Sequence, residues 1–186
     1  MILITGCAGF IGFNLVSSLS TGRSKIIGID NISLKSSSLQ KDRLKILRRY
    51  KNFRYVNLDV SNKDKVFSFF KRNKIKIVIH LAALAGVRDS IKNPKKYYSS
   101  NVNGYFNMIE ASRNNNIKKF IYASSSSVYD EKAKIPYSEN DSSENQISFY
   151  ALSKKTNEQI AKFYSNTYGI QTIGLRFFSV YGPWGR

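Results

Sequence analysis

The 186-residue sequence predicts an α/β architecture: a doubly wound parallel β-sheet with helices on both faces. Three observations predict it. Short β-branched or aromatic runs alternate strictly with longer amphipathic stretches. Runs such as Ile77-Val78-Ile79 are apolar on both faces, as strands covered from both sides must be. Three glycines, at 6, 9 and 12, fall between the first strand candidate and the first helix candidate. The length suits one domain over 1–186 with a real core and is short for two.

Taken in order, strands are expected at 2–5, 25–29, 53–57, 76–80, 120–124 and 171–176. Helices are expected between them at 10–20, 39–50, 63–73, 94–115 and 149–168. Such alternation implies right-handed βαβ units. Local signals agree. Lys63 and Asp64 open one helix after Ser61, read as its N-cap. Pro94 suits a first helical turn. Gly169 falls where the last helix must stop, in the left-handed position glycine favours. The polar stretch 130–147, with Pro136, reads as a long functional loop.

Lys and Arg number 30 against 12 Asp and Glu, a net charge of +18. That excess raises nucleic acid as a partner. The basic residues are dispersed, however, with no arginine-rich tail or RNA-binding signature, so nucleic acid is not expected. Cys7 is the only cysteine and His80 the only histidine, which leaves no disulfide framework and no metal site. The N-terminus runs straight into Ile2-Leu3-Ile4 without a signal-peptide pattern. The longest apolar run, 77–87, is too short to span a bilayer. A soluble cytoplasmic protein with no membrane partner is expected.

Gly6, Gly9 and Gly12 follow a strand and open a helix, the setting in which glycines cradle a dinucleotide. The turn needs backbone freedom, a side chain at Gly9 would block a pyrophosphate, and Gly12 lets helix and strand pack closely. Helix N–H groups then face the phosphates. The spacing is G-x-x-G-x-x-G. Asp30, ending the second strand, can accept two ribose hydroxyls and disfavours a 2′-phosphate, which points to NAD rather than NADP. The same residues also fit a tight turn in another α/β fold, with Asp30 as a cap. Asp59 fits either an adenine contact or a solvated turn.

Tyr150 and Lys154 are four apart, so a helix sets them on one face. A free tyrosine titrates too high to act as a base at neutral pH. An ammonium at roughly 4 Å, with an effective dielectric of about 20, favours the phenolate by about 4 kcal/mol before desolvation. The phenol can then exchange a proton with a sugar hydroxyl. Alone, the pair also fits the surface of an amphipathic helix. The run Ser124-Ser125-Ser126-Ser127-Val128-Tyr129 adds a hydroxyl at the carboxyl end of the fifth strand, where this topology binds ligands, and by itself it also fits a plain serine-rich turn.

With these motifs in place the chain resembles the extended short-chain dehydrogenases, which carry a Rossmann fold, and among them the NAD-dependent nucleotide-sugar epimerases and dehydratases. The resemblance covers nearly all 186 residues. It rests on Thr5–Gly12, Asp30-Asn31, Leu58-Asp59-Val60, His80-Leu81-Ala82-Ala83, Asn101-Val102-Asn103-Gly104, the serine run, the Tyr150/Lys154 pair and Arg176-Phe177-Phe178-Ser179-Val180-Tyr181-Gly182-Pro183. The stretch 80–90 and Gly182-Pro183-Trp184-Gly185-Arg186 resemble UDP-glucuronate 4-epimerases in particular.

The resemblance implies Ser125, Tyr150 and Lys154 as the catalytic set, with Tyr150 the base and Lys154 also on the nicotinamide ribose. It implies cofactor contacts from Gly6, Gly9, Phe10, Ile11, Gly12, Asp30, Asn31, Asp59, Val60, Leu81, Ala82 and Ala83, with Asn101 on the cofactor side and Phe178 near the nicotinamide. Arg88, Ser126, Ser127 and Arg186 fall where the sugar nucleotide is held. Dehydratases and decarboxylases of the family carry an acid just before Val-Tyr in this loop. Here Ser126 and Ser127 stand there, so the resemblance implies epimerisation at C4 through a 4-keto sugar, without net NAD consumption. UDP-glucose or another nucleotide sugar, or an inactive NAD-binding module, are the competing readings.

The sequence departs from the family pattern at Leu84, where glutamine is expected, at Asp89, where an aromatic is, and at Asp130, where glycine usually follows Val-Tyr. Family members carry a C-terminal lobe that grips the substrate's nucleotide. The sequence stops at Arg186, and these residues alone are expected to bind NAD better than they epimerise. Helices 94–115 and 149–168 resemble the pair through which the family forms homodimers.

Overall fold

A computed structural model describes residues 1–33, 36–130, 134–141 and 144–185. Six strands form one parallel sheet: β1 (Ile2–Thr5), β2 (Ile26–Asp30), β3 (Phe53–Asn57), β4 (Ile77–His80), β5 (Lys119–Ser125) and β6 (Gln171–Phe177). Their spatial order is β3-β2-β1-β4-β5-β6. The chain therefore reverses direction across the sheet between β1 and β4. In register, Thr5 lies beside Ile29 on one side and His80 on the other. A crevice opens above their carboxyl ends.

Alternation along β1 divides the core between the two faces. Ile4 packs with Phe13, Val16, Ile26 and Leu47 beneath α1 (Phe10–Leu19) and α2 (Ser38–Leu47). Leu3 packs on the opposite face with Val78, Phe120, Phe70, Met108, Ile109 and Tyr164. That face is covered by α3 (Lys63–Lys71) and two later helices, which carry the rest of the site. Between β4 and β5 the chain forms α4 (Val87–Lys92), α5 (Pro94–Tyr97), a π-helical turn (Tyr98–Asn103) and α6 (Gly104–Asn114). After β5 come a 3₁₀ turn (Ser126–Val128) and the 20-residue α7 (Phe149–Tyr168).

All six strands and the five expected helices form. Three details differ from the sequence reading. The cap of α3 is Asn62, whose side chain accepts from the Lys65 amide at 3.0 Å, while Ser61 is turned onto Asp59. The helix expected at 94–115 is widened by the π turn. A further helix, α4, forms before it; six residues are too few to show a helical period. Pro94 does open α5, and Gly169 ends α7 in the left-handed region at φ 66°. The described residues of 130–147 form neither helix nor strand. Among the described residues, no helix is long and apolar enough to cross a membrane.

Candidate active site

The glycine turn is built against β4. Gly6 has φ 70°, and a Cβ there would stand 2.8 Å from the Ala82 nitrogen. A Cβ on Gly12 would stand 2.1 Å from the Gly6 carbonyl oxygen, so no larger residue lets α1 approach this closely. No described group accepts from the amides of Phe10, Ile11 or Gly12 at the start of α1. Those free donors and the aligned helix dipole suit an anion. The next carboxylate belongs to Asp30: Oδ2 accepts from the Ala8 amide at 2.8 Å and Oδ1 from the Asn31 amide at 2.9 Å. Burial holds its pKa above the usual carboxylate value, against those amide bonds.

A cleft of about 860 Å³ opens here. Gly6, Gly9, Asp30, Asn31, Asp59, Val60, Leu81, Ala82 and Ala83 all line it. Asp59 is held by its neighbours, accepting from the Asn31 side chain at 2.8 Å and from the Ser61 amide and hydroxyl at 2.9 and 2.7 Å. The opposite wall carries Lys92, Lys95 and Lys96, a basic run around Pro94 that the sequence reading passed over. Ser125, Tyr150, Lys154 and Phe178 are not in the lining of this cleft.

His80 anchors the floor. Its Nδ1 shares a 2.8 Å hydrogen bond with the Thr5 hydroxyl, which also accepts from the Ala82 amide at 3.1 Å. Burial, and secondarily the charge of Lys154, push the His80 pKa down to about 3, so the ring is neutral. The cleft wall at Ala82 is thus tied to β1 through one hydroxyl.

The second half of the site sits where α7 meets the end of β5. Tyr150 lies in the first turn of α7. Two serines satisfy the amides there: Ser148 accepts from Ala151 at 3.1 Å and Ser90, from α4, accepts from Tyr150 itself at 3.0 Å. One turn on, Lys154 is buried at 4% exposure, with Nζ donating to the Ala123 carbonyl at 2.8 Å and lying 5.9 Å from the centre of the Tyr150 ring. Burial lowers the Lys154 pKa to about 8. Two residues along the strand, Ser125 Oγ accepts from the Ser127 amide and hydroxyl at 3.2 and 2.8 Å. Ser126 and Ser127 are both half-buried in the 3₁₀ turn.

Asn101 does not face the cleft. It is buried, and its amide bonds the Leu84 backbone at both N–H (2.8 Å) and carbonyl (2.9 Å) and the Ser153 hydroxyl (3.2 Å). Ser153 in turn donates to the Tyr150 carbonyl at 2.7 Å. The Asn101 carbonyl, in the π turn, accepts from Asn157 at 3.0 Å. Asn101 therefore braces the residues beside the cleft. Glu158, four residues after Lys154, was also missed; it accepts from Ser124 at 2.6 Å and pairs with Arg176 at 2.9 Å. Burial alone would raise its pKa, but Arg176 and Ser124 hold it below the usual value. Phe178 is 52% exposed and packs on Tyr137 and Tyr129. Arg88 is exposed on α4. Arg186 lies outside the described residues.

The glycine turn thus follows β1, and the Ser/Tyr/Lys set lies at the end of β5, two strands away in the same sheet. A family model described as the NAD dependent epimerase/dehydratase family matches residues 2–186. Protein CapI of Staphylococcus aureus is 46% identical over 186 residues, all of this chain and 55% of that protein. UDP-glucuronate 4-epimerase 4 of Arabidopsis thaliana is 40% identical over 187 residues, 100% of this chain and 43% of that protein. The crystal structure of UDP-glucuronic acid 4-epimerase from Bacillus cereus, in complex with UDP-glucuronic acid and NAD, aligns at a TM-score of 0.89 and 33% identity, covering 100% of this chain and 58% of that one. The chain spans about half the length of the curated relatives it matches. On this match and this geometry, the chain belongs to the NAD-dependent epimerase/dehydratase family.

Proposed function

We propose that this chain serves the C4 epimerisation of a nucleotide sugar, UDP-glucuronate in the first instance. The observation that carries the reading is the joint of α7 and β5: Lys154 is buried on the Ala123 carbonyl, Tyr150 is one turn before it, and Ser125 is two residues along the strand. NAD, when bound, supplies a reversible hydride acceptor for the sugar's C4. The free amides of Phe10, Ile11 and Gly12 hold its phosphates, Asp30 and Asn31 its ribose, and Asp59, Val60, Leu81, Ala82 and Ala83 its adenosine side.

Tyr150 takes the proton of the sugar 4-hydroxyl through Ser125 and returns it after the keto sugar has turned over. Lys154, below its pKa of about 8, keeps a positive charge beside the phenol and holds the nicotinamide ribose. Phe178 sits toward the nicotinamide. Ser126 and Ser127 contact the sugar and carry no carboxyl group, which supports epimerisation over elimination. Arg88 is the described cation assigned to the sugar's acid group. Asn101 acts through Leu84 and Ser153. The reaction takes place in the cytoplasm. The covered share of each relative supports a substrate nucleotide gripped by residues outside this sequence.

The test is NMR detection of C4 inversion in UDP-glucuronate and in UDP-glucose, with NAD⁺, using the chain with and without its natural downstream sequence. Inversion of UDP-glucuronate, reduced at least about 1,000-fold by Tyr150→Phe, is the expected result. Inversion of UDP-glucose alone would replace the substrate. A Tyr150→Phe protein of unchanged rate would end the proposed mechanism.

A further inference from the structure

Arg43 has no part in the roles given above, yet it is a cation buried at 4% exposure. From α2 its guanidinium reaches two carbonyl groups. One, at 3.1 Å, is that of Ala8, inside the glycine turn. The other is that of Trp184, at the far end of the sequence. Ala8 is thereby gripped twice: Asp30 takes its amide at 2.8 Å and Arg43 its carbonyl. These grips come from neighbouring elements and carry opposite charge.

Residues 183–185 are held to the same turn by other contacts. Asn14, on α1, donates to the Pro183 carbonyl at 3.1 Å. The Trp184 ring meets Phe13 edge-on at 5.5 Å. Trp184 itself has φ 63°, a left-handed backbone that so bulky a residue keeps only where its surroundings impose it. A Cβ on Gly185 would stand 3.3 Å from the ring of Phe10, the first residue of α1.

We infer that Arg43 is a positioning residue for the dinucleotide: it locks the glycine turn and residues 183–185 into one unit, so that binding at the turn and the placement of that segment are coupled. The inference rests on the family's NAD requirement. Its physical basis is direct. The Ala8 carbonyl and the Gly9 amide belong to one peptide group, so a rigid carbonyl fixes the amide that leads into α1. The guanidinium also places a permanent positive charge behind amides that face a diphosphate.

Trp184 is the only tryptophan, so its emission reports on the segment without labelling. NAD⁺ is titrated onto the chain by calorimetry while Trp184 emission is followed. Binding to the parent is expected to change that emission. Arg43→Met is expected to weaken NAD⁺ about tenfold and to abolish the emission change. Asn14→Ala, a milder release of the same segment, is expected to red-shift the resting emission and weaken NAD⁺ about threefold. A purely structural arginine would lower the melting temperature and leave NAD⁺ affinity, measured on folded protein, unchanged. A folded Arg43→Met protein that binds NAD⁺ like the parent overturns the inference. If Arg43→Met does not fold, Asn14→Ala decides: freed Trp184 emission with parental affinity overturns it as well. A parent chain that fails to bind NAD⁺ removes the cofactor assignment and this inference together, whereas equal binding by the variants removes only the inference.

Discussion

His80 shows how one side chain can tie stability to the site. Its folded pKa is about 3 against an ordinary 6.5. As pH falls through 6.5 the unfolded chain takes up the proton and the folded chain does not. Stability is therefore lost between pH 6.5 and 3, by on the order of 4 kcal/mol across the window. His80→Gln keeps a partner for Thr5 and cannot titrate, so its urea midpoint is expected to fall less steeply over that range. An equal slope in parent and variant would place the acid sensitivity elsewhere. Individual residues were legible where chemistry restricts the choice: the glycines, Asp30, and the Tyr150/Lys154 pair stand where they were expected. Asn101 was read as a cofactor-side residue; its bonds to Leu84 and Ser153 were not legible, because a sequence names an amide without saying which neighbours it bonds. Arg43, Ser90 and Glu158 stayed hidden because their partners lie 35, 60 and 34 residues away.

At the level of elements, the punctuation marks were the reliable guide. Gly169 closes α7 at φ 66° with nothing within 4 Å of an added Cβ. Gly169→Ala is thus a backbone effect alone, expected to cost about 1 kcal/mol and lower the melting temperature by roughly 2–4 °C. Gly6→Ala has a similar φ but meets the Ala82 backbone at 2.8 Å, so a larger loss, with loss of NAD⁺ binding, is expected. Equal melting shifts for the two variants would contradict the close packing of the turn on β4. Strands and long helices were legible because their periods repeat. The π turn was not, since its Asn101 carbonyl is taken by Asn157, 56 residues away, and α4 is shorter than two helical turns.

For the molecule as a whole, the outer faces of α6 and α7 carry exposed Phe106, Leu152, Phe163 and Tyr168. We propose that two copies of the chain pair there, as a four-helix bundle. Each copy carries +18, so the partners repel at low ionic strength. Light scattering is expected to show a dimer that tightens from low salt to about 0.3 M NaCl, where the screening length is about 6 Å. Phe163→Glu is expected to yield monomer at every salt concentration. A parent that stays monomeric throughout ends the proposal. The sequence made the layered architecture legible as a whole, because six apolar runs and five amphipathic ones admit few arrangements. It could not state which outer face is left bare, since that depends on how the helices turn once packed.

The hydrogen bond between Thr5 and His80 also has a meaning in time. It spans 75 residues of chain. β1 lies in the middle of the sheet, and its β4 neighbour is made long after it. At a synthesis rate of roughly 5–20 residues per second, the first strand waits about 4–15 s on the ribosome before its second neighbour can exist. Until then the wall of the cradle at Ala82 has not been built, and β2 is the only strand that β1 can pair with.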